Sequence, residues 1–396
     1  MAIAANAVLI QTIASEESVL KNGIRVGVLV LVGLSLAVSG VRMPVGVMLL
    51  ILYSTLMMLL RQNPDQLSYI FIFVLVFLMF AVKERDLEKA LLLSSLFSLG
   101  LVFVFLGLGI TQNTVTEYRS RMTFGTNGVP FFFNLVYGAF TMLVFYFHKY
   151  RFRSRHWVAL GAVAATTYLF QLTDARGGYL AFGLFVAALY LMPALSRSLF
   201  FRGAVMATPV ICIGLAFYVA TLWGDGQANR LLSNRPILYE RFLAELTEAD
   251  VVLSTSVKQF DRAVTIVDNS YLHLLMGGGV VMFIVVLVLF ARAVYNLFKA
   301  GRLPEIAFLV ATCAYFNSES IMLRIENMFV IYFWYLVLRF CGSLRKEDAV
   351  SISPTPVPER KAKVARVPTW ERDLEARLAA AKNPGQISIK TRPGRY

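Results

Sequence analysis

The feature that most constrains this chain is a succession of apolar stretches of roughly 17 to 25 residues, separated by short connections rich in charge, proline or glycine. A run of that length matches the hydrocarbon thickness of a bilayer, and a helix is the single-segment structure that satisfies its own backbone there. The stretches fall near 25–41, 43–60, 66–82, 89–110, 129–147, 157–173, 177–195, 203–223, 269–291, 304–322 and 325–341. They predict an all-α, polytopic transmembrane helix bundle of about eleven spans, in the range of about ten to twelve, over residues 1–341. Composition agrees: 58% of the 396 residues are hydrophobic and 16% charged, more apolar surface than one water-soluble core buries.

Charge orients the bundle. Lys83 and Arg85, the run from Lys149 to Arg155, Arg197 with Arg202, Arg292 with Lys299 and Arg302, and the chain's end all fall on one side. By the positive-inside rule that side is cytoplasmic. The longest loop, residues 224–268, then faces the periplasm or exterior, with Thr111–Gly128, Thr173–Gly178 and Asn317–Glu326. An odd number of spans places the N-terminus outside, unless residues 1–14 form an incomplete extra span or an interfacial segment.

From residue 342 the chain turns basic and carries Pro354, Pro356 and Pro358 with few large aliphatics, which predicts a mostly disordered cytoplasmic tail. Within it, residues 369–382 fit a short helix with Trp370, Leu374 and Leu378 on one stripe, suited to a membrane surface or to a docking partner. The net charge of +14 reads as topology signal and headgroup contact, not nucleic-acid binding, because no basic stripe with interleaved aromatics lies outside the apolar runs. Cys212, Cys313 and Cys341 lack disulfide or zinc spacing and read as packing residues. No histidines share metal-ligand spacing and no acidic triplet stands beside a span, so neither metal nor cofactor is expected.

The polar residues that could carry chemistry gather in the exterior connections. Arg119 and Arg121 precede Met-Thr-Phe-Gly125; Asp174-Ala-Arg176-Gly-Gly178 opens the seventh span; Arg230, Arg235 and Arg241 open the long loop; Asp268-Asn-Ser-Tyr271 opens the ninth span. At the seventh span, Thr173 or Asp174 can cap the helix start, while Gly177 and Gly178 leave the backbone open to a ligand. With Arg176 this makes an anion site; alternatively Arg176 anchors to headgroups and the glycines pack on a neighbouring helix. Guanidinium groups such as Arg235 are the usual clamps for diphosphate oxygens. Asp268 is either a helix cap or a carboxylate at work, and Tyr271 shares its face at the i, i+3 spacing. The glycines at 277–279 suit tight helix packing.

Taken in order, Arg121-Met-Thr-Phe-Gly125 with Asn127 and Asn134, Asp174-Ala-Arg176-Gly-Gly, Leu232-Ser-Asn-Arg235-Pro and Asp268-Asn-Ser-Tyr-Leu resemble the bacterial O-antigen polymerase and ligase superfamily, the Wzy-type polysaccharide polymerases, over roughly residues 90–340. The resemblance implies a metal-independent glycosyltransferase in the bacterial inner membrane, with donor and acceptor both undecaprenyl-diphosphate-linked oligosaccharides. A chain-length-determining copolymerase and a flippase are candidate partners. It implies Asp268, Arg176 and Arg235 as catalytic residues, with Arg119, Arg121, Asn134, Arg230 and Tyr271 binding diphosphate or glycan and Glu319 and Glu326 in reserve. Where this chain has Asp268 the ligase branch carries histidine, which favours a polymerase. A transporter for lipid-linked sugars is the rival expectation, and it predicts broken helices and charges near the bilayer midplane.

Overall fold

The computed structural model describes residues 45–63, 65–116, 121–256 and 268–342, with Val8, Leu9, Thr12, Gly27, Val30 and Leu34 before them. The expected span at 25–41 is covered only at isolated positions, and Arg119 and the 369–382 helix lie outside the described residues.

Apart from one ribbon, every regular element among the described residues is helical: α1 (Val45–Arg61), α2 (Gln66–Met79), α3 (Glu84–Gly107), α4 (Val129–Lys149), α5 (Arg155–Thr173), α6 (Arg176–Leu195), α7 (Leu199–Met206), α8 (Thr208–Thr221), α9 (Gly226–Leu231), α10 (Arg235–Glu245), α11 (Glu248–Leu253), α12 (Ser270–Lys299), α13 (Leu303–Phe316) and α14 (Met328–Phe340). The ribbon pairs β1 (Val115–Thr116) antiparallel with β2 (Arg121–Met122). Each apolar stretch from the second onward therefore coincides with a helix or a helix pair, but their lengths are unequal. Among the described residues α3, α4, α6 and α12 are long and apolar enough to cross a membrane, and α7 with α8, bent by 62°, makes a fifth candidate. The bend falls where Pro209, in the first turn of α8, has no amide hydrogen to continue α7. Helix α5 has the length without the apolarity. The apolar α1, α2, α13 and α14 have 17, 14, 14 and 13 residues, so the last two are shorter than the expected 304–322 and 325–341.

The interior is built around α14, whose sequence is apolar or aromatic on every side, so it has no face to give to solvent. Every residue of it but Arg339 is buried, against α2, α3, α4, α12 and α13. Trp334 meets Phe73 edge-on at 5.5 Å and donates its indole hydrogen to Met322 O at 2.8 Å. Outward, Val281, Ile284 and Val288 make a half-exposed stripe along α12, and Leu180, Leu184 and Leu191 make another along α6. Apolar side chains on the outside as well as the inside are compatible with lipid as the surrounding solvent.

The ends of α3, α4 and α13 define two ends of the bundle. At one end Glu84 and Glu88 of α3, Lys149 of α4 and Arg302 and Glu305 at the start of α13 form an ion-pair network. Lys149 Nζ lies 2.5 Å from Glu84 and from Glu88 and 2.9 Å from Glu305, while Arg302 pairs with Glu305 at 2.6 Å and with Glu84. Tyr332 and Tyr150 hydroxyls donate to Glu88, at 2.5 and 2.8 Å. This corrects the expectation that no acidic triplet stands beside a span: carboxylate oxygens of Glu84, Glu88 and Glu305 lie within 4.8 Å of one another. They come from two helices more than two hundred residues apart in sequence, so no local spacing announces them. Lys149 reaches all three, which puts its ammonium where a metal would be. At 1.5 Å per residue, the 21 residues of α4 set this network roughly 30 Å from the end where the exterior connections were expected.

Candidate functional site

At that other end, the segment after α9 is shaped to present an arginine. Asn229 ties the elbow together, accepting from Ile237 N through its side chain and from Asn234 N through its carbonyl. Ser233 and Asn234 take left-handed backbone angles, and Pro236 in the first turn starts α10 directly behind them. Arg235 thereby reaches the turn after α13 and donates to Ser318 O at 2.7 Å. One turn on, the buried Tyr239 hydroxyl lies 3.1 Å from Asp268 O and 3.3 Å from Asn317 O.

The start of α12 holds the same turn from its other side. Asn269 caps the helix by accepting from the amides of Tyr271 and Leu272, and its amide group donates to Asn317. Ser270 Oγ donates to Glu319 O at 2.5 Å and accepts from the amides of Ile321 and Met322. The cap is therefore Asn269 and not Asp268, which leaves the Asp268 carboxylate available for other work. These bonds explain why α13 stops at Phe316: residues 317–322 spend their polar backbone on α10 and α12 instead of on another helical turn.

Asp268 and Glu319 are thus brought together from stretches about fifty residues apart, within reach of the charges of Arg235 and Arg324. Arg324 also lies over the Phe131 ring, 5.2 Å from its centroid. Burial pushes the Asp268 carboxyl above the usual carboxylate range, and the charges of Arg235 and Arg324 offset this only in part. Burial and then the negative charge of Asp268 push Glu319 well above its usual range, against the same two guanidiniums. Burial is the larger cause for both groups, and for Glu319 the charge of Asp268 adds to it. With one proton on the pair, two guanidiniums would face one negative charge.

A second cluster flanks the same turn. Asp174 takes Arg121 at 2.8 Å and Arg176 at 3.0 Å, and Arg176 also donates to Leu231 O at 3.3 Å. Burial raises the Asp174 carboxyl, but hydrogen bonds and charge from Arg121 and Arg176 outweigh it and hold the group below its usual range. Neither Thr173 nor Asp174 caps α6, contrary to expectation. Thr173 donates back to Leu169 O, and Asp174 sits at φ +47° as the last residue of the α5 turn. The two glycines are not open to a ligand either. A Cβ on Gly177 would lie 2.3 Å from Ser318 Oγ, and one on Gly178 2.3 Å from the Phe133 ring, so their bareness lets α6 close against α13 and α4. That closure sets Arg176 beside Ser318, whose carbonyl Arg235 holds.

The expected site residues thus divide. Arg121 and Arg176 meet at Asp174, Arg235 reaches Ser318 and acts on Asp268 through its charge, and Arg119 lies outside the described residues. Arg230 is exposed on α9. Asn134 is buried on α4, accepting from Tyr315 OH at 2.6 Å. Tyr271 turns into the interior: it is 1% exposed and its hydroxyl donates to Cys313 O at 3.0 Å. Its helical spacing from Asp268 misled because Asp268 precedes the helix and does not share its periodicity. Arg324 was missed, although it is the one basic residue in Asn317–Glu326. No family model, curated protein or solved structure matches the chain.

Proposed function

We propose that this chain is a metal-independent, membrane-embedded glycosyltransferase that polymerises undecaprenyl-diphosphate-linked oligosaccharide repeat units at the outer face of a bacterial inner membrane. The reading includes about eleven spans, an exterior loop at 224–268 and a cytoplasmic tail. The observation that carries it is the meeting of Asp268, Glu319, Arg235 and Arg324, from three separate stretches of chain, next to the Arg121–Asp174–Arg176 cluster.

In this reading the ionised carboxylate of the Asp268–Glu319 pair takes the proton of the acceptor sugar hydroxyl as its oxygen attacks the anomeric carbon of the donor. The bond from that carbon to the donor's diphosphate breaks, and the leaving diphosphate takes the electron pair. Arg235 and Arg324, with Arg176 at the margin, meet a negative charge that grows as the bond breaks, so they stabilise the transition state more than the ground state. Alanine at Arg235 should lower turnover by about 10²- to 10³-fold, the usual loss for one such donor. Cells carrying Arg235→Ala, Asp268→Asn or Glu319→Gln at normal protein level should make glycan of one repeat unit; normal polymer from all three would remove the site.

One observation favours the transporter reading for lipid-linked sugars: α12 is broken at Gly279, whose φ is +73°. Purified protein in detergent with lipid-linked repeats distinguishes the two, because an enzyme lengthens glycans there and a transporter has no compartments to work between. An O-antigen ligase of the same superfamily would instead transfer glycan only to a lipid-core acceptor.

A further inference from the structure

Asn134, whose Oδ1 accepts from Tyr315 OH, lines a small cavity between α3, α4 and the start of α14. Ser95, Ser98, Asn134, Glu326 and Asn327 supply its polar lining, and Gly138 and Phe329 help to close it. Asn327 holds the N-cap position of α14 but makes no capping bond with its side chain. It is 2% exposed, and neither its Oδ1 nor its Nδ2 has a hydrogen-bond partner. Ser95 Oγ, from a residue 5% exposed, is also without one. Three polar atoms from two helices, stripped of water and facing one space, are costly unless a group there answers them.

The chemistry of those atoms selects the group. A cation would satisfy Asn327 Oδ1 and leave Nδ2 with nothing to donate to; an anion would do the reverse. A hydroxyl answers both, donating to Oδ1 and accepting from Nδ2, with its second lone pair open to the Ser95 hydroxyl. The space suits one water-sized group and no more. We propose that this cavity is a binding site for a single hydroxyl, supplied either by a fixed water or by one hydroxyl of a saccharide reaching in from the candidate site. The saccharide source rests on the glycosyltransferase reading; the site itself does not.

The test uses the full-length protein purified in detergent. With the cavity occupied, Ser95→Ala removes a bond and lowers the thermal midpoint, by about 2 °C on the scale of one hydrogen bond. In an empty cavity the same change replaces an unanswered hydroxyl with a methyl group and raises the midpoint, which would overturn the proposal. A high-resolution density map should show a peak within hydrogen-bond distance of both Asn327 Oδ1 and Nδ2; a void there also overturns it. A midpoint that climbs when sodium replaces choline points to a cation and overturns it too. The source is read from the thermal midpoint of the unaltered protein with added glucose, galactose or N-acetylglucosamine. A rise that Ser95→Ala abolishes marks a saccharide hydroxyl, and an unchanged midpoint with the density peak retained marks a water. None of these readouts depends on polymer formation, so their failure is separate from the failure of the catalytic reading.

Discussion

Asp268 and Glu319 differ in what fixes them. Asp268 follows the capping geometry of Asn269, whereas Glu319 is held by its backbone on Ser270. The charge of Asp268 raises the proton affinity of Glu319, so removing it should be visible in the titration of Glu319. Asp268→Asn deletes the like charge beside Glu319 and lets it ionise at lower pH. Its carboxyl band in pH-difference infrared spectra should therefore titrate at lower pH. Arg235→Gln deletes a favourable positive charge, and should move the same titration to higher pH. Opposite displacements, measured with purified protein over a pH series, are the signature of a proton held beside Asp268. A band that stays in place would assign the titration to other groups.

At the scale of elements, the glycines of α12 show what sequence conveys and what it hides. The run 277–279 is legible as a place of close approach, but not as a break. In the folded chain Gly279 adopts φ +73°, and the carbonyls freed nearby are answered by side chains of α1, of α2 and of the turn between them, and by the segment after α11. Tyr53 donates to Gly278 O at 3.0 Å, Asn63 to Gly277 O at 3.2 Å and Gln66 to the same oxygen at 2.5 Å, while Thr255 N reaches Met276 O at 2.9 Å. Those partners lie about twenty residues before and over two hundred residues away along the chain, beyond the reach of periodicity. The break divides α12 into a short buried piece and about twenty residues that suffice for the hydrocarbon core. Gly279→Ala would put a side chain in the left-handed region and 3.1 Å from Val252 O, and should cost about 1–2 kcal/mol. Gly183→Ala in α6 meets nothing within 4 Å and should instead be neutral or stabilising by up to about 1 kcal/mol. Thermal unfolding of the two variants side by side checks both. The same contrast explains the site: Arg121, Arg176, Arg235 and Asp268 could be picked out by type and position, but Arg324 joins them only because α13 ends early and turns.

For the whole molecule, the ion-pair clusters at the two ends of the bundle are built from the same residue types in opposite balance. Around Ser318, guanidiniums outnumber ionised carboxylates and one of them, Arg176, stays exposed. At the far end the carboxylates of Glu84, Glu88 and Glu305 outnumber Lys149 and Arg302, and only Glu84 among the acids is appreciably exposed. Sequence reading located Lys83, Arg85 and Lys149 as orienting charges, which they resemble when counted one by one. It could not foresee that Lys149 turns inward, because that depends on α3, α4 and α13 ending at one level. A buried network of this kind gains little over an apolar core of equal shape, but loses much when one partner is removed. Lys149→Met should therefore destabilise the protein by about 3–5 kcal/mol, since it removes the ion pair of the buried Glu88 and leaves Glu84 and Glu305 to Arg302. Adding Glu88→Gln to Lys149→Met removes the most deeply buried of those charges and should restore part of the loss, a non-additive result that thermal unfolding of the two single variants and the double variant measures. Additive losses would mean that Lys149 and Glu88 stabilise the bundle independently. Because this network lies some 30 Å from Ser318, the double variant should keep the pH–rate profile of the unaltered protein.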